Sequence, residues 1–89
     1  MRYLVIETYV RGAESVYARA AQQGRMLPVG LEYIESWVDA ETLDRCFQLM
    51  ETDDPRLFDE WIASWSDIVE FEIVPVISSS EAAEKSKSA

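Results

Sequence analysis

The sequence contains no histidine and only one cysteine, Cys46. Histidine is the side chain that most often serves as a general base near neutral pH, and it is the commonest ligand for transition metals. A single thiol cannot form an intrachain disulfide, and a lone cysteine is typical of a reducing compartment. We therefore predict a cytoplasmic protein that holds no metal ion and uses no cofactor.

Long apolar runs and excess positive charge are missing as well. No apolar run approaches the roughly 20 residues that a membrane-spanning helix needs, and the first residues show a strand pattern where a secretion signal would lie. Acidic residues outnumber basic ones by 17 to 8, which gives a formal net charge of −9. Such a surface repels phosphate backbones and anionic lipid headgroups, so we expect neither nucleic acid nor a membrane as a partner.

Strand and helix patterns follow one another along the chain. Apolar residues recur at helical spacing from Ala13, and Gly24 is suited to end that helix. A second amphipathic helix is predicted after Pro55, with Asp53 or Asp54 as its cap, because aspartate followed by proline is a typical helix start. Four further segments are rich in β-branched and aromatic residues, as strands are, and they cover residues 3–9, 31–38, 43–51 and 69–77.

The element order β-α-β-β-α-β predicts an α+β fold of ferredoxin-like type, a sandwich with a four-stranded antiparallel sheet and both helices on one face. We assign this domain to residues 1–77. Residues 78–89 are mostly Ser, Glu, Ala and Lys, which bury too little apolar surface to order a chain. A mobile polar tail is therefore predicted, with a short helical turn around 81–84.

Alternation along the strands assigns each side chain to one of two sheet faces. The face beneath the helices is predicted to be apolar, and its members are Leu4, Ile6, Ile34, Val38, Phe47, Leu49, Val69, Phe71 and Ile73. The opposite face is predicted to mix large apolar groups with polar ones, and its members are Tyr3, Val5, Glu7, Tyr33, Glu35, Trp37, Cys46, Gln48, Met50, Glu70, Glu72 and Val74. Such a patch is larger than monomers usually expose, so a homodimer with two sheets face to face is expected.

Four stretches of the sequence carry a resemblance to a known family: GRMLP at 24–28, SWV at 36–38, DRCFQLME at 44–51 and WIASWSD at 61–67. Through them, nearly the whole chain short of the tail resembles a family of short bacterial proteins that is catalogued only as a domain of unknown function. That family is placed among the dimeric α/β barrels. The resemblance implies the ferredoxin-like fold and the dimer, and it supplies no catalytic residues.

Polar residues of the second face form the candidate site, and they are Glu7, Glu35, Gln48 and Glu72. Carboxylates in a partly dry barrel can have raised pKa values and act as general acid or base, and two close carboxylates can hold Mg²⁺ or Ca²⁺. The alternative is that these residues are hydrogen-bonded parts of the interface or its rim. The first three can cluster only if the first, third and second strands are adjacent.

Three further residues are candidates for ligand binding. Arg25 can clamp the carboxylate of an anionic ligand with two hydrogen bonds, or it can pair with a surface acid. Trp37 and Tyr33 can stack on a ligand, or they can pack in the dimer interface. Trp61 and Trp65 lie four residues apart on the apolar helix stripe, so they are predicted to be core anchors.

Two classes of function stay open at this point. The chain is either a binding or structural module, or a cofactor-independent enzyme, such as an oxygenase or isomerase, that acts on a small organic ligand. Without histidine, Cys46 has no activating base and is interpreted as a buried small residue, which favours the module. A pocket that contains Glu7, Glu35 or Gln48 would favour the enzyme.

Overall fold

The computed structural model describes residues 1–87 and shows the predicted element order with one helix added at its end. Its strands are β1 (Arg2–Tyr9), β2 (Glu32–Val38), β3 (Arg45–Glu51) and β4 (Val69–Val76). Its helices are α1 (Ala13–Gln23), α2 (Leu57–Ala63) and α3 (Ser79–Lys87). The prediction of an α+β ferredoxin-like fold is confirmed.

The strands form one antiparallel sheet in the order β2-β3-β1-β4. The two long central strands pair so that Val5 lies opposite Gln48 and Glu7 lies opposite Cys46. The first, third and second strands are therefore neighbours, which is the adjacency that the candidate site requires.

Local sequence signals account for the helix boundaries. Gly24 follows α1 with a φ of 67°, a left-handed conformation that glycine adopts at little cost. α2 begins at Leu57, two residues after the proline, and a turn precedes it. In that turn the carboxylate of Asp54 accepts a hydrogen bond from the backbone N–H of Arg56 at 3.1 Å. Of the two candidate aspartates, Asp54 thus engages the helix start, whereas Asp53 lies 3.9 Å from the N-terminal amino group.

The connection between β2 and β3 is longer than predicted, because β3 begins at Arg45 and not at residue 43. The carboxylate of Asp39 accepts hydrogen bonds from the backbone N–H groups of Glu41 and Thr42, at 2.9 and 3.3 Å. Leu43 then adopts a φ of 59°. A left-handed residue cannot continue a strand, so β3 begins after it.

The C-terminal segment is more helical than predicted, since α3 covers Ser79–Lys87 where only a turn around 81–84 was expected. Residues 88 and 89 of the predicted tail lie outside the described residues. Glu81 in the first turn and Lys85 in the last turn suit the helix dipole. Every side chain of α3 is exposed, so this helix adds nothing to the core, and the predicted mobility stays a prediction.

Among residues 1–87, no helix has the length and apolar character needed to cross a membrane.

The face assignment predicted for the two central strands is wrong. The residues buried beneath the helices are Val5, Glu7 and Tyr9 of β1 and Cys46, Gln48 and Met50 of β3. They pack with Val16 of α1 and with Phe58 and Trp61 of α2, and we call this the covered face of the sheet. Residues of the open face are only half-buried, and they include Leu4, Ile6, Phe47 and Leu49. The assignment is right for β4, where Val69, Phe71 and Ile73 pack against the core.

The exchange of faces has a physical reason. Both faces of β1 carry large apolar residues, so alternation alone does not choose between them, and the prediction took the set without Glu7 and Gln48 as the core. Burial of a polar group is costly only while it lacks a partner. In the structure these two side chains hydrogen-bond each other.

A bulge in β2 accounts for the rest of the error. Tyr33 lies opposite Met50 and therefore on the covered face, whereas Glu35 lies opposite Leu49 and therefore on the open face. The register shifts between Tyr33 and Glu35, where Ile34 is the additional residue. Because a bulge interrupts the alternation of side chains, strict parity placed Tyr33 and Ile34 wrongly and Glu35 correctly.

Candidate functional site

A pocket of about 260 Å³ lies between the covered face and the helices. From the sheet it is lined by Glu7, Tyr9, Ser36, Val38, Cys46 and Gln48, and from the helical layer by Val16, Tyr17, Ala20, Arg25, Trp61 and Trp65. Glu7 and Gln48 are buried, whereas Tyr17 and Arg25 are exposed. The first two therefore form the floor of the pocket, and the last two lie at its mouth.

The floor is a hydrogen-bonded pair of polar side chains. The side-chain Nε2 of Gln48 donates to Oε2 of Glu7, and the two residues are only 6% and 5% exposed. Oε1 of the same amide is buried and has no hydrogen-bond partner among the described residues. Buried polar atoms are nearly always hydrogen-bonded in folded proteins, so this oxygen is an unused acceptor on a residue that lines the pocket.

Burial raises the pKa of Glu7 from 4.5 to about 7, because removal from water disfavours the carboxylate. The hydrogen bond from Gln48 and the positive charge of Arg25 act in the opposite direction and are weaker. A carboxyl group with such a pKa is present in both its charged and its neutral form at neutral pH. That is the property a general acid or base requires.

Two neighbours of Glu7 stay neutral at the same pH. Burial, followed by the nearby charge of Glu7, raises the pKa of the Cys46 thiol to about 11. Burial also raises the pKa of Tyr9 well above its usual range. A protonated thiol is a poor nucleophile, and the interpretation of Cys46 as a buried small residue is confirmed by its 5% exposure.

The mouth of the pocket holds Arg25 between the sheet and the helical layer. Its guanidinium carbon lies 3.7 Å from the centre of the Tyr33 ring, within reach of a cation–π interaction. The hydroxyl of Tyr33 is itself 2.8 Å from Oγ of Ser36. The backbone carbonyl of Arg25 accepts hydrogen bonds from the indole N–H groups of Trp61 and Trp65 at 3.0 and 3.1 Å. The two indoles thus hold the backbone of Arg25, and the Tyr33 ring contacts its guanidinium group.

A second and larger depression, of about 450 Å³, lies at the other end of the sheet. Its charged groups are already paired with one another: the N-terminal amino group of Met1 lies 2.5 Å from the Glu51 carboxylate, and Arg2 lies 3.7 Å from the same carboxylate. The pocket above Glu7 is therefore the better candidate for a ligand site, because it alone of these two contains a buried acceptor without a partner.

Comparison with known proteins identifies the family of this chain. A family model described as Domain of unknown function (DUF3303) matches residues 1–89. The chain belongs to the DUF3303 family. No curated protein and no solved structure matches it. The family description names no activity for this DUF3303 chain.

The seven predicted site residues of the DUF3303 chain divide into two groups. Glu7, Gln48 and Arg25 line the pocket together, and Tyr33 stacks on Arg25 at its mouth. Glu35, Trp37 and Glu72 belong to the open face, away from that group, as the strand pairing shows. Within residues 1–87 no group of three or more His, Cys, Asp or Glu side chains is placed to hold a metal ion.

Sequence reasoning missed the part of the pocket wall that comes from α1 and from the end of α2. Ala20 leaves room above the sheet, and Trp61 and Trp65 are core anchors, as predicted, that also line the pocket. The helical spacing of Trp61 and Trp65 predicted their burial but not their place beside Glu7, because alternation had put Glu7 on the other face.

The open face has an apolar centre and a polar edge. Cross-strand pairing puts Ile6 beside Phe47 and Leu4 beside Leu49 at the centre of the sheet. The outer strands extend these rows, and the residues at their ends are Glu72, Trp37, Val74 and Glu35. Trp37 is 55% exposed in the single chain. An apolar centre with a polar rim is the usual anatomy of a protein–protein interface.

Proposed function

We propose that this chain binds a small organic molecule in the pocket between the covered face and the helices. The observation that carries the proposal is the buried Glu7–Gln48 pair at the floor, with the oxygen of Gln48 left without a partner. Ligand sites are mostly apolar cavities with a few convergent polar groups, and this pocket has that composition. Its volume of about 260 Å³ lies just below the usual range for drug-sized ligands, so a small molecule fits best.

A pair of variants on one helix tests the proposal. Ala20 lines the pocket, whereas its neighbour Ala21 is exposed and does not line it. Ala20→Trp should fill the pocket and abolish binding, and Ala21→Trp should bind like the unchanged chain. Native mass spectrometry of freshly purified protein, followed by a thermal-shift screen of small organic compounds, supplies the measurement. Binding that is equal in both variants, or no bound compound in any form, would contradict the proposal.

A homodimer through the open face is the second part of the proposal. The uncovered centre of Leu4, Ile6, Phe47 and Leu49 supports it, since a second copy would remove these side chains from water. In this arrangement Glu35, Trp37 and Glu72 lie at the rim, where they would contact the partner or solvent and not the pocket ligand. Such a dimer is the arrangement that gives the dimeric α/β-barrel superfamily its name. We propose that this chain belongs to that superfamily and that it is a bacterial, cytoplasmic protein.

The dimer is tested by its mass in solution. Light scattering at micromolar concentration should report twice the mass of one chain. Leu49→Lys places a charge at the centre of the open face and should give the mass of one chain, with an unchanged far-UV circular dichroism spectrum. Glu35→Gln, a change in the same cross-strand row, should stay dimeric. A single-chain mass for the unchanged protein would contradict the dimer.

A cofactor-independent isomerase is the alternative function, and the raised pKa of Glu7 favours it. The carboxylate would accept a proton from a carbon next to a carbonyl group of the ligand, and the resulting carboxylic acid would return it to another atom. Such a step needs no oxidant or other co-reactant. A bound ligand incubated in D₂O should then gain deuterium with the unchanged chain but not with Glu7→Gln. Exchange at equal rates in both proteins would exclude this role.

A further inference from the structure

The pocket offers three chemically different surfaces, and together they describe a class of ligand. The first surface is polar and belongs to Gln48, which lines the pocket. The Nε2 of this amide already donates to Glu7, so Oε1 is the atom left without a partner. An oxygen acceptor that is removed from water needs a donor, and the ligand that satisfies it carries an O–H or N–H group.

The second surface of the pocket is aromatic. Tyr9, Trp61 and Trp65 line it, and each of these residues is at most 6% exposed. Rings in fixed positions favour a planar ligand that stacks on them or meets them edge to face. The aliphatic wall of Val16 and Val38 adds apolar contact without polar groups. A ring, rather than a flexible chain, is the ligand shape that this section accommodates.

The mouth is cationic. Within residues 1–87, two arginines lie in close ion pairs, Arg19 with Asp67 at 2.7 Å and Arg56 with Asp54 at 2.9 Å, whereas Arg11 and Arg45, which do not line the pocket, have no such pair. Arg25 has no carboxylate within ion-pair distance among these residues, and the ring of Tyr33 holds its guanidinium group. In a chain of net charge −9, an arginine without an acidic partner at the mouth of a pocket is suited to a carboxylate from outside.

We propose that the ligand is a small aromatic carboxylic acid that also carries a hydroxyl or N–H donor, and this inference rests on the proposed binding function. Its carboxylate binds the guanidinium of Arg25, its ring lies against the tryptophans, and its donor reaches Oε1 of Gln48. The volume of about 260 Å³ limits the acid to one ring or two fused rings. Glu7 holds the amide of Gln48 in the orientation that turns the acceptor toward the ligand.

Three probe molecules separate these contacts in a calorimetric titration. 4-Hydroxybenzoate has the acid and the donor, phenol lacks the acid, and 4-methoxybenzoate lacks the donor. 4-Hydroxybenzoate should bind at least about tenfold more tightly than either of the others, because each lacks one charged or hydrogen-bonded contact. Comparable affinities for all three, or no binding by any of them, would overturn the inference.

Two variants assign each contact to its residue. Arg25→Gln should weaken 4-hydroxybenzoate by about tenfold and leave phenol unchanged, since only the acid contacts the guanidinium. Gln48→Met should weaken 4-hydroxybenzoate and phenol but not 4-methoxybenzoate. If Gln48→Met does not fold, the Arg25→Gln comparison still decides, because Arg25 is exposed. A loss that is the same for all three probes in Arg25→Gln would contradict the assignment.

Failure of this inference can be told apart from failure of the proposed function. If neutral or purely apolar compounds bind and are excluded by Ala20→Trp, the pocket is a ligand site and only the aromatic-acid class is wrong. If no compound of any class binds the unchanged chain, the proposed function itself is wrong. Binding of 4-hydroxybenzoate that survives Ala20→Trp would place the acid elsewhere on the molecule and overturn the inference.

Discussion

The covered face and the open face share the same central strands, and they differ in where their polar groups lie. On the covered face, Glu7 and Gln48 are buried in the middle of an apolar cluster and hydrogen-bond each other. On the open face, Ile6 and Leu49 form an apolar centre with their neighbours, and the acids lie at its edges. A polar pair inside a core and a polar rim around an apolar patch are suited to different tasks.

This difference supports the proposal that the covered face binds a ligand and the open face binds a partner. A buried carboxyl costs stability, and one beside a cavity is a candidate to interact with a ligand there. An apolar centre with charges at its rim is stable in a dimer and directs how two copies align. We therefore expect mutations on the covered face to change stability and ligand affinity, and mutations on the open face to change assembly.

The largest expected effect compares adjacent residues of β3 that face opposite ways. Met50 is fully buried, so Met50→Ala should cost about 2–5 kcal/mol of unfolding free energy, independent of protein concentration. Leu49 is half-buried, so Leu49→Ala should cost less at low concentration, and its cost should grow with concentration as dimers form. Urea unfolding at two protein concentrations measures both. Equal costs at both concentrations would contradict the division between the faces.

A smaller effect tests the charge of Glu7. Its pKa is about 7 in the fold against 4.5 when solvated, so ionisation in the fold costs about 3 kcal/mol at roughly 1.4 kcal/mol per tenfold change in proton affinity. Because the folded pKa is raised, this cost is absent below pH 4.5, grows as the pH rises toward 7, and is complete above it. Glu7→Gln should therefore stabilise the chain by up to about 3 kcal/mol at pH 8 and by little at pH 4.5.

The matched control for that change is Glu35→Gln on the open face, which should leave thermal stability nearly unchanged at both pH values because Glu35 is exposed. Melting curves of both variants and the unchanged chain at the two pH values supply the comparison. A loss of several degrees in Glu7→Gln at pH 8 would mean that the carboxylate is a structural partner of Gln48 and not a strained group beside a pocket.

The smallest effect concerns the rim of the pocket. Tyr33→Leu removes the ring on which Arg25 lies and should cost about 0.5–1 kcal/mol, the usual size of an exposed cation–π contact. Arg25→Gln should cost a similar amount. The double variant should cost little more than either single change, because both remove the same contact. Fully additive costs in chemical unfolding would show that the two side chains do not interact.

The sequence predicted the element order, because that order depends on local patterns and on short connections. It left the adjacency of β1, β3 and β2 as a condition, which the structure meets. It did not predict which face of β1 is buried, since Val5 and Tyr9 on one side and Leu4 and Ile6 on the other are equally apolar. Tyr33 was misplaced because a bulge is not visible in an alternating pattern. The pairing of Glu7 with Gln48 needs a tertiary contact between β1 and β3, and such contacts decide whether a polar residue can be buried.

The most direct test of this account is an NMR titration of the Gln48 side-chain amide between pH 4 and pH 9. Its Nε2 donates to the Glu7 carboxylate, so its signals report the protonation of Glu7. The indole N–H signal of Trp37, on the open face, is the reference within the same sample. We predict a midpoint near pH 7 at Gln48 and no transition near that pH at Trp37. A midpoint near pH 4.5 at Gln48 would show that Glu7 is solvated and would contradict the proposed site.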